Sequence, residues 1–246
     1  MRVLGIDTAT STASVAFLEN GQVLAEGFFP PHFYGKATDN SSAKSNHAQT
    51  VLPLIDSVLQ RAGTDLACVA GIAVSIGPGS CTGVRIGVST AKGLAYGAAI
   101  PTVGISTLHA SAARVTDFDG AICSLLDARK NEVYAALFRQ NGKFLKRITD
   151  DAVVPVSRIF EVLSAVKAVE PCLLVGEGAM AYRTLIESLG GPRVNIVAEE
   201  EMSSIATSVA RLSEARFNDN DVPPLENLTP IYLRRSDCEF YDKTAS

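Results

Sequence analysis

The sequence lacks any close pairing of cysteines. Cys68, Cys81, Cys123, Cys172 and Cys238 stand far apart, and no two form a C-x-x-C pair. An odd count without such pairs argues against a disulfide framework or a zinc ribbon. Four of the five lie in or beside apolar segments, where free thiols pack as small hydrophobes. A basic excess is missing too: 22 Lys and Arg face 26 Asp and Glu, for a net charge of −4. With no whole-chain footprint for nucleic acid, any RNA contact has to be local or made by a partner. No run approaches the roughly 18 apolar residues of a membrane span. The opening MRVLGIDTATS has no apolar stretch of signal-peptide length. The expectation is a cytoplasmic protein with no membrane partner. His32, His47 and His109 form neither an H-E-x-x-H motif nor a close pair, so a zinc hydrolase site is not expected. Asp7 and Asp127 alone do not supply the carboxylate cluster of a two-metal nuclease. Ser80 and Cys81 have no identifiable base partner. The sequence therefore predicts no metal site and no catalytic residue.

What is present is a 246-residue chain, 47% hydrophobic, enough for one large domain or two moderate ones. Its most distinctive stretch is Ser75 to Gly97. A buried-looking strand ends at Gly77-Pro78-Gly79, a turn signal. A helix capped by Ser80 or Thr82 then runs to about Gly97. Two small-residue stripes follow it at four-residue spacing: Gly83, Gly87, Ala91, Ala95, and Ser89, Gly93, Gly97. Each interior glycine costs roughly 1 kcal/mol against alanine. That cost makes sense only where something lies very close to the helix: the chain's own sheet, a phosphate, or another chain.

Around this stretch the element order repeats. Arg2 to Asp7, Ser14 to Leu18 and Val23 to Phe28 read as a three-stranded meander with an Asn20-Gly21 hairpin turn. Pro30 to Ser45 reads as an exposed loop, and Asn46 with Gln49 as a capping box. The apolar spacing from Val51 to Ala62 predicts a helix, with Pro53 marking a kink or a late start and Gly63 its end. Strand Val69 to Ile76, the glycine-rich turn and helix, strand Thr102 to Ile105 and a helix from Thr107 to Val115 complete the first half. The second half starts again with Ile122 to Leu126, Asp127, Glu132 to Arg139, Asn141-Gly142 and Lys143 to Ile148. Helix Val156 to Val166, strand Cys172 to Val175, helix Ala181 to Leu189, strand Val194 to Val197 and helix Ser203 to Phe217 follow. Glu199 to Glu201 reads as a solvated face at a helix start. The order predicts an α/β protein of two duplicated RNase H-like (actin-like, ASKHA) halves, each a mixed five-stranded sheet flanked by helices. The division expected is residues 1–106 and 107–246, with the last helix and tail packing back on the first half.

That fold is associated with ATP. Asp7 and Thr8 open the first strand-to-strand turn and Asp127 the second, and Gly176 and Gly178 follow a strand where an adenine ring could lie. These five are the candidates for weak nucleotide contact. Both aspartate turns, Thr8-Ala9-Thr10 and Ala128-Arg129-Lys130-Asn131, lack the glycines that let backbone N–H groups approach phosphates. A carboxylate satisfied by its own turn is the competing reading for Asp7. An ATP-dependent small-molecule kinase remains one alternative on fold alone, and a metallopeptidase-like protein a second.

Gly5-Ile6-Asp7-Thr8-Ala9, His47-Ala48-Gln49, the run Ser75 to Gly87 (SIGPGSCTGVRIG), Ala91 to Ala95, Asp127 to Tyr134 and Pro230 to Arg234 together resemble the bacterial TsaB (YeaZ) family over nearly the whole chain. The resemblance implies the duplicated fold and a non-catalytic role beside TsaD, the metal-bearing catalytic subunit, and TsaE, an ATPase. Together these make threonylcarbamoyladenosine next to the anticodon of tRNAs that read codons beginning with adenine. It also implies a homodimer when the chain is alone, contact with tRNA only through the complex, and no cofactor of its own beyond ATP or ADP at a subunit boundary. The partner interface it implies falls on the first two helices: His47, Val51, Leu52, Ile55, Arg85, Gly87, Val88 and Ala91. The small-residue stripes fit such a contact, and they equally fit packing against the chain's own sheet.

Overall fold

A computed structural model describes residues 1–29, 47–165, 172–190, 195–198 and 202–234. The expected loop from Pro30 to Ser45, the cap at Asn46 and the acidic run from Glu199 to Glu201 lie outside the described residues. The first half contains β1 (Arg2–Asp7), β2 (Ala13–Glu19), β3 (Gln22–Phe29), α1 (His47–Arg61), β4 (Gly71–Ser75), α2 (Cys81–Ala98), β5 (Thr102–Ile105) and α3 (Thr107–Ala112). Then come β6 (Gly120–Arg129), β7 (Glu132–Asn141), β8 (Phe144–Arg147), β9 (Ala152–Pro155), α4 (Ile159–Ala165), β10 (Cys172–Val175), α5 (Glu177–Ala181), α6 (Arg183–Gly190), β11 (Asn195–Ile196) and α7 (Ile205–Asn218).

The strands form two sheets of the same design. The first runs β3-β2-β1-β4-β5 and the second β8-β7-β6-β10-β11. In each, an antiparallel meander is extended by parallel strands that crossover helices return to the sheet. The duplication read from the element order is therefore present in the hydrogen bonding. The first hairpin turns at Asn20 and Gly21, both left-handed (φ 49° and 76°), which matches the twist of its strands.

Three expectations are corrected. The second sheet has a sixth strand: β9 pairs with Glu132–Ala135 on the outer edge of β7, beside β8, which pairs with Phe138–Asn141. Four residues ending in Pro155 carry no alternation that would mark a strand. The helix expected over 181–189 is α6, and a further helix not expected, α5, precedes it, separated from it by Tyr182 (φ −110°, ψ 20°). Helix α1 starts at His47 rather than near Pro53, and contains the proline; the Gln49 carbonyl there forgoes its helical partner.

Each sheet is covered on both faces. Helices α1 and α2 cover one face of the first sheet through Val51, Ile55, Val58, Val84, Val88 and Ala91. The opposite face is filled by α7, through Ile205, Ala206, Val209 and Ala210. On the second sheet α3 supplies Leu108 and Ala112 to one face, while α4 to α6 supply Ile159, Leu163, Ala179 and Ile186 to the other. The chain therefore exchanges helices between its halves. Helix α3, at the end of the first strand set, packs on the second sheet, and α7, at the end of the second, packs on the first.

Candidate functional site

The two aspartate turns face each other across a cleft of about 540 Å³ between the halves. Its walls are the Ala9–Ser11 turn, the start of α2 from Gly79 to Gly83, the Asp127–Arg129 turn, and the side chains of Tyr134, Glu177 and Arg234. The start of α2 is held hard against the first turn. The Ser80 N–H donates to the Ala9 carbonyl at 2.8 Å, and Ser80 Oγ caps the helix by accepting from the Gly83 N–H at 3.2 Å. A Cβ on Gly83 would lie 1.9 Å from the Thr8 carbonyl oxygen, and one on Gly87 2.4 Å from Thr8 Oγ1. Gly83 and Gly87 are thus explained by this chain's own first turn, and Ala91 and Ala95 lie in the first-half core. All four residues are buried.

Asp7 lies at the centre of this packing, fully enclosed. Its carboxylate accepts from the Thr10 hydroxyl at 2.7 Å and the Ala9 N–H at 3.2 Å. Burial pushes its pKa above the ordinary carboxylate range, against the lowering pull of the Ser75 and Thr10 hydroxyls and the Ala9 N–H. The Thr8 hydroxyl is committed to the Gly83 carbonyl at 2.6 Å. The polar atoms of Asp7 and Thr8 are thus committed to hydrogen bonds within the chain. Gly176 and Gly178 pack closely against the second half's own backbone. Gly176 is left-handed (φ 99°) and a Cβ there would meet the Leu125 carbonyl oxygen at 2.4 Å; one on Gly178 would meet the Leu126 backbone at 2.8 Å. These glycines seat α5 on β6. Of the five candidates only Asp127 reaches the cleft. It accepts from the Arg129 N–H at 2.8 Å and the Tyr182 hydroxyl at 2.9 Å, and its other oxygen lies 3.2 Å from the Arg129 guanidinium.

The expected partner residues divide. Val51, Ile55, Gly87, Val88 and Ala91 are buried in the first-half core, so they cannot form an exposed contact surface. His47, 7% exposed, lines the cleft. Leu52, at 52% exposure, and Arg85 face outward. The second stripe, Ser89, Gly93 and Gly97, is exposed, and a Cβ on Gly93 or Gly97 would meet nothing within 4 Å. Tyr96, 86% exposed, stands beside it.

Comparison with known proteins identifies the family. The family model described as TsaD, tRNA N6-adenosine threonylcarbamoyltransferase, matches residues 40–238. The tRNA threonylcarbamoyladenosine biosynthesis protein TsaB of Escherichia coli is 33% identical over 96% of this chain and 96% of that protein. The chain belongs to the TsaB family. The Bacillus subtilis TsaB is 29% identical over 97% of this chain and 96% of its own length. The solved structure of YeaZ from Pseudomonas aeruginosa superposes with a TM-score of 0.74, at 26% identity, over 94% of this chain and 99% of that one.

Several residues that line the cleft of this TsaB-family chain, or bond to its lining, have roles that a residue-by-residue reading of the sequence does not disclose. Glu177 accepts from the Ser11 N–H at 2.9 Å and so ties the first turn to the second half; its place between two turn glycines was the available signal. Tyr182 carries no local signal, because the carboxylate it bonds lies 55 positions away, and Arg234 stands out only as the last residue of the Pro230 to Arg234 motif, with nothing to mark a contact 106 positions away.

Proposed function

We propose that this chain is a non-catalytic partner subunit in the synthesis of threonylcarbamoyladenosine in tRNA, working beside a TsaD-like catalytic subunit and a TsaE-like ATPase. One observation carries the reading: the turn that would handle a nucleotide's phosphates is closed on itself, with Asp7 and Thr8 enclosed and hydrogen-bonded within the chain. A fold built to grip phosphate has those atoms committed to its own packing.

In this reading residues 1–106 form the partner-binding half, and 107–246 the second half, whose last helix returns to the first sheet. The partner surface is the outer face of α2 with the neighbouring part of α1: Leu52, Arg85, Ser89, Gly93, Tyr96 and Gly97. The exposed glycines leave a groove along α2 into which a second helix can settle. Without the catalytic subunit the same face would pair two copies of this chain. ATP or ADP, where held, would sit at the subunit boundary rather than on Asp7. Contact with tRNA would come through the complex, in the cytoplasm, with no membrane partner; no described helix is long and apolar enough to cross a bilayer.

The test is a nucleoside profile of bulk tRNA after depletion of the chain. Threonylcarbamoyladenosine should fall while other modified nucleosides hold steady, and resupply of the chain should restore it. An unchanged profile overturns the function.

A further inference from the structure

A second cavity, of about 50 Å³, lies where the two halves meet. Thr12 and Phe28 line it from the first half, Leu126 and Gly176 from the second. Both exchanged helices border it, α3 through Ser111 and α7 through its capping residue Ser204. Two of the hydroxyls in this wall have no protein partner. Ser111 is fully buried, and its Oγ makes no hydrogen bond among the described residues; neither does the enclosed Oγ1 of Thr12. Leaving a buried hydroxyl unpaired is costly, so nearly all of them find a partner, either protein or water. Gly176 keeps the space beside Ser111 open, because a Cβ there would lie 3.2 Å from the Ser111 Oγ.

Size and charge narrow the occupant. A single water needs roughly 10–15 Å³ of such space, whereas drug-sized ligands sit in pockets of roughly 300 Å³ or more. The cavity therefore admits a small cluster of waters and excludes a nucleotide. The charged groups in its wall are Arg114 and Glu177. Arg114 Nε donates to the Ser203 carbonyl at 2.5 Å, and the Glu177 carboxylate accepts from the Ser11 N–H at 2.9 Å. The start of α7 would favour an anion, but that place is taken: Glu26 accepts from the Ser204 and Thr207 hydroxyls at 2.9 Å and 2.8 Å. With a cation and a carboxylate in one wall and a second carboxylate behind Ser204, neither sign of charge is favoured inside. A small neutral molecule that both donates and accepts hydrogen bonds fits, and water is that molecule.

We propose that this cavity is a binding site for a cluster of ordered water that joins the two halves. Waters held by Ser111 on α3 and by Thr12 in the first turn complete the hydrogen bonds that the protein leaves open. Thr12 belongs to the first half, and Ser111 lies against Gly176 of the second, so the cluster spans the joint. It stands beside the direct tie from the Ser11 N–H to Glu177, and the joint is wet on one side of that tie. The site rests on the cavity and its hydroxyls and holds whichever partner this chain binds.

Magnetic relaxation dispersion of the water oxygen, measured on the full chain, counts long-lived internal waters and tests the site. Ser111→Ala and Thr12→Val each remove one hydroxyl with little change of shape. Each should lower the count by about one against the parent, because an internal water is held by the polar groups around it. A high-resolution crystal structure of the full chain should show water within hydrogen-bond distance of both hydroxyls. An unchanged count in either variant overturns the proposal. So does a crystal structure in which the cavity is dry, in which both hydroxyls bond protein groups instead, or in which an organic molecule fills the space. Should Ser111→Ala fail to fold, Thr12→Val and the parent crystal structure decide.

Discussion

Thr8 and Gly83 interlock: the Thr8 hydroxyl donates to the Gly83 carbonyl at 2.6 Å, and the Thr8 carbonyl oxygen occupies the space, 1.9 Å away, where a Cβ on Gly83 would be. The contact is backbone on backbone, so neither side yields by a rotamer change. Gly83→Ala should therefore cost about 3 kcal/mol or more by overpacking, despite alanine's gain of about 1 kcal/mol in helix propensity. Urea denaturation measures it. A variant as stable as the parent would mean that α2 stands further from the first turn than described.

The two stripes of α2 should respond in opposite ways to the same substitution. Gly87→Leu places a side chain against Thr8 and Val74 and should leave little folded protein. Gly93→Leu meets no neighbour within 4 Å. Its fold should survive with stability equal to or slightly above the parent, through a helix-propensity gain of under about 1 kcal/mol. Gly93→Leu should also abolish co-purification with the catalytic partner. Retained partner binding by this well-folded variant would remove the outer α2 face from the interface.

The first stripe also shows what the sequence does and does not disclose. Glycines at Gly83 and Gly87 announce a close approach, and they were legible as that. Which surface makes the approach is a tertiary fact: the same spacing serves a partner helix or the chain's own turn. The hairpins at Asn20-Gly21 and Asn141-Gly142 were legible because a tight turn's left-handed backbone selects those residues locally. Strand β9 was not, since its four residues are strand only because the edge of β7 was open beside them. Arg234 is a further case, because the Ala128 carbonyl and the Glu132 carboxylate that it binds lie some hundred positions earlier.

Lys130, in the hairpin turn between β6 and β7, offers a direct measure of the cost of a left-handed backbone at a residue with a Cβ. Its φ of 56° lies where an L-residue carries a penalty of about 1–2 kcal/mol. Glycine escapes the penalty but has more freedom to lose on folding, about 0.4–1 kcal/mol. Lys130→Gly should therefore raise stability by up to about 1 kcal/mol in urea denaturation. Loss of stability would mean that the lysine side chain's contacts outweigh its backbone cost.

Two buried titratable groups should set opposing pH dependences. His109 stacks on Phe138 at 5.3 Å between ring centres, and burial together with the nearby Arg147 guanidinium lowers its pKa from 6.5 to about 4, against the raising effect of Asp151. A depressed folded pKa gives stability that is complete above pH 6.5 and lost as pH falls through about 4. His109→Phe should remove that loss. Relative to wild type the variant should gain on the order of 2–3 kcal/mol between pH 7 and pH 4. Asp7 runs the other way: burial raises its pKa above 3.8, so its contribution is complete below that value and is lost as pH rises through the folded pKa. Asp7→Asn should accordingly gain on wild type as pH rises, over a window that begins near pH 3.8. Urea denaturation of the three proteins at each pH separates the two contributions. A His109→Phe curve parallel to wild type would show that the imidazole is neither as enclosed nor as close to Arg147 as described, and a parallel Asp7→Asn curve would show that water reaches the carboxylate.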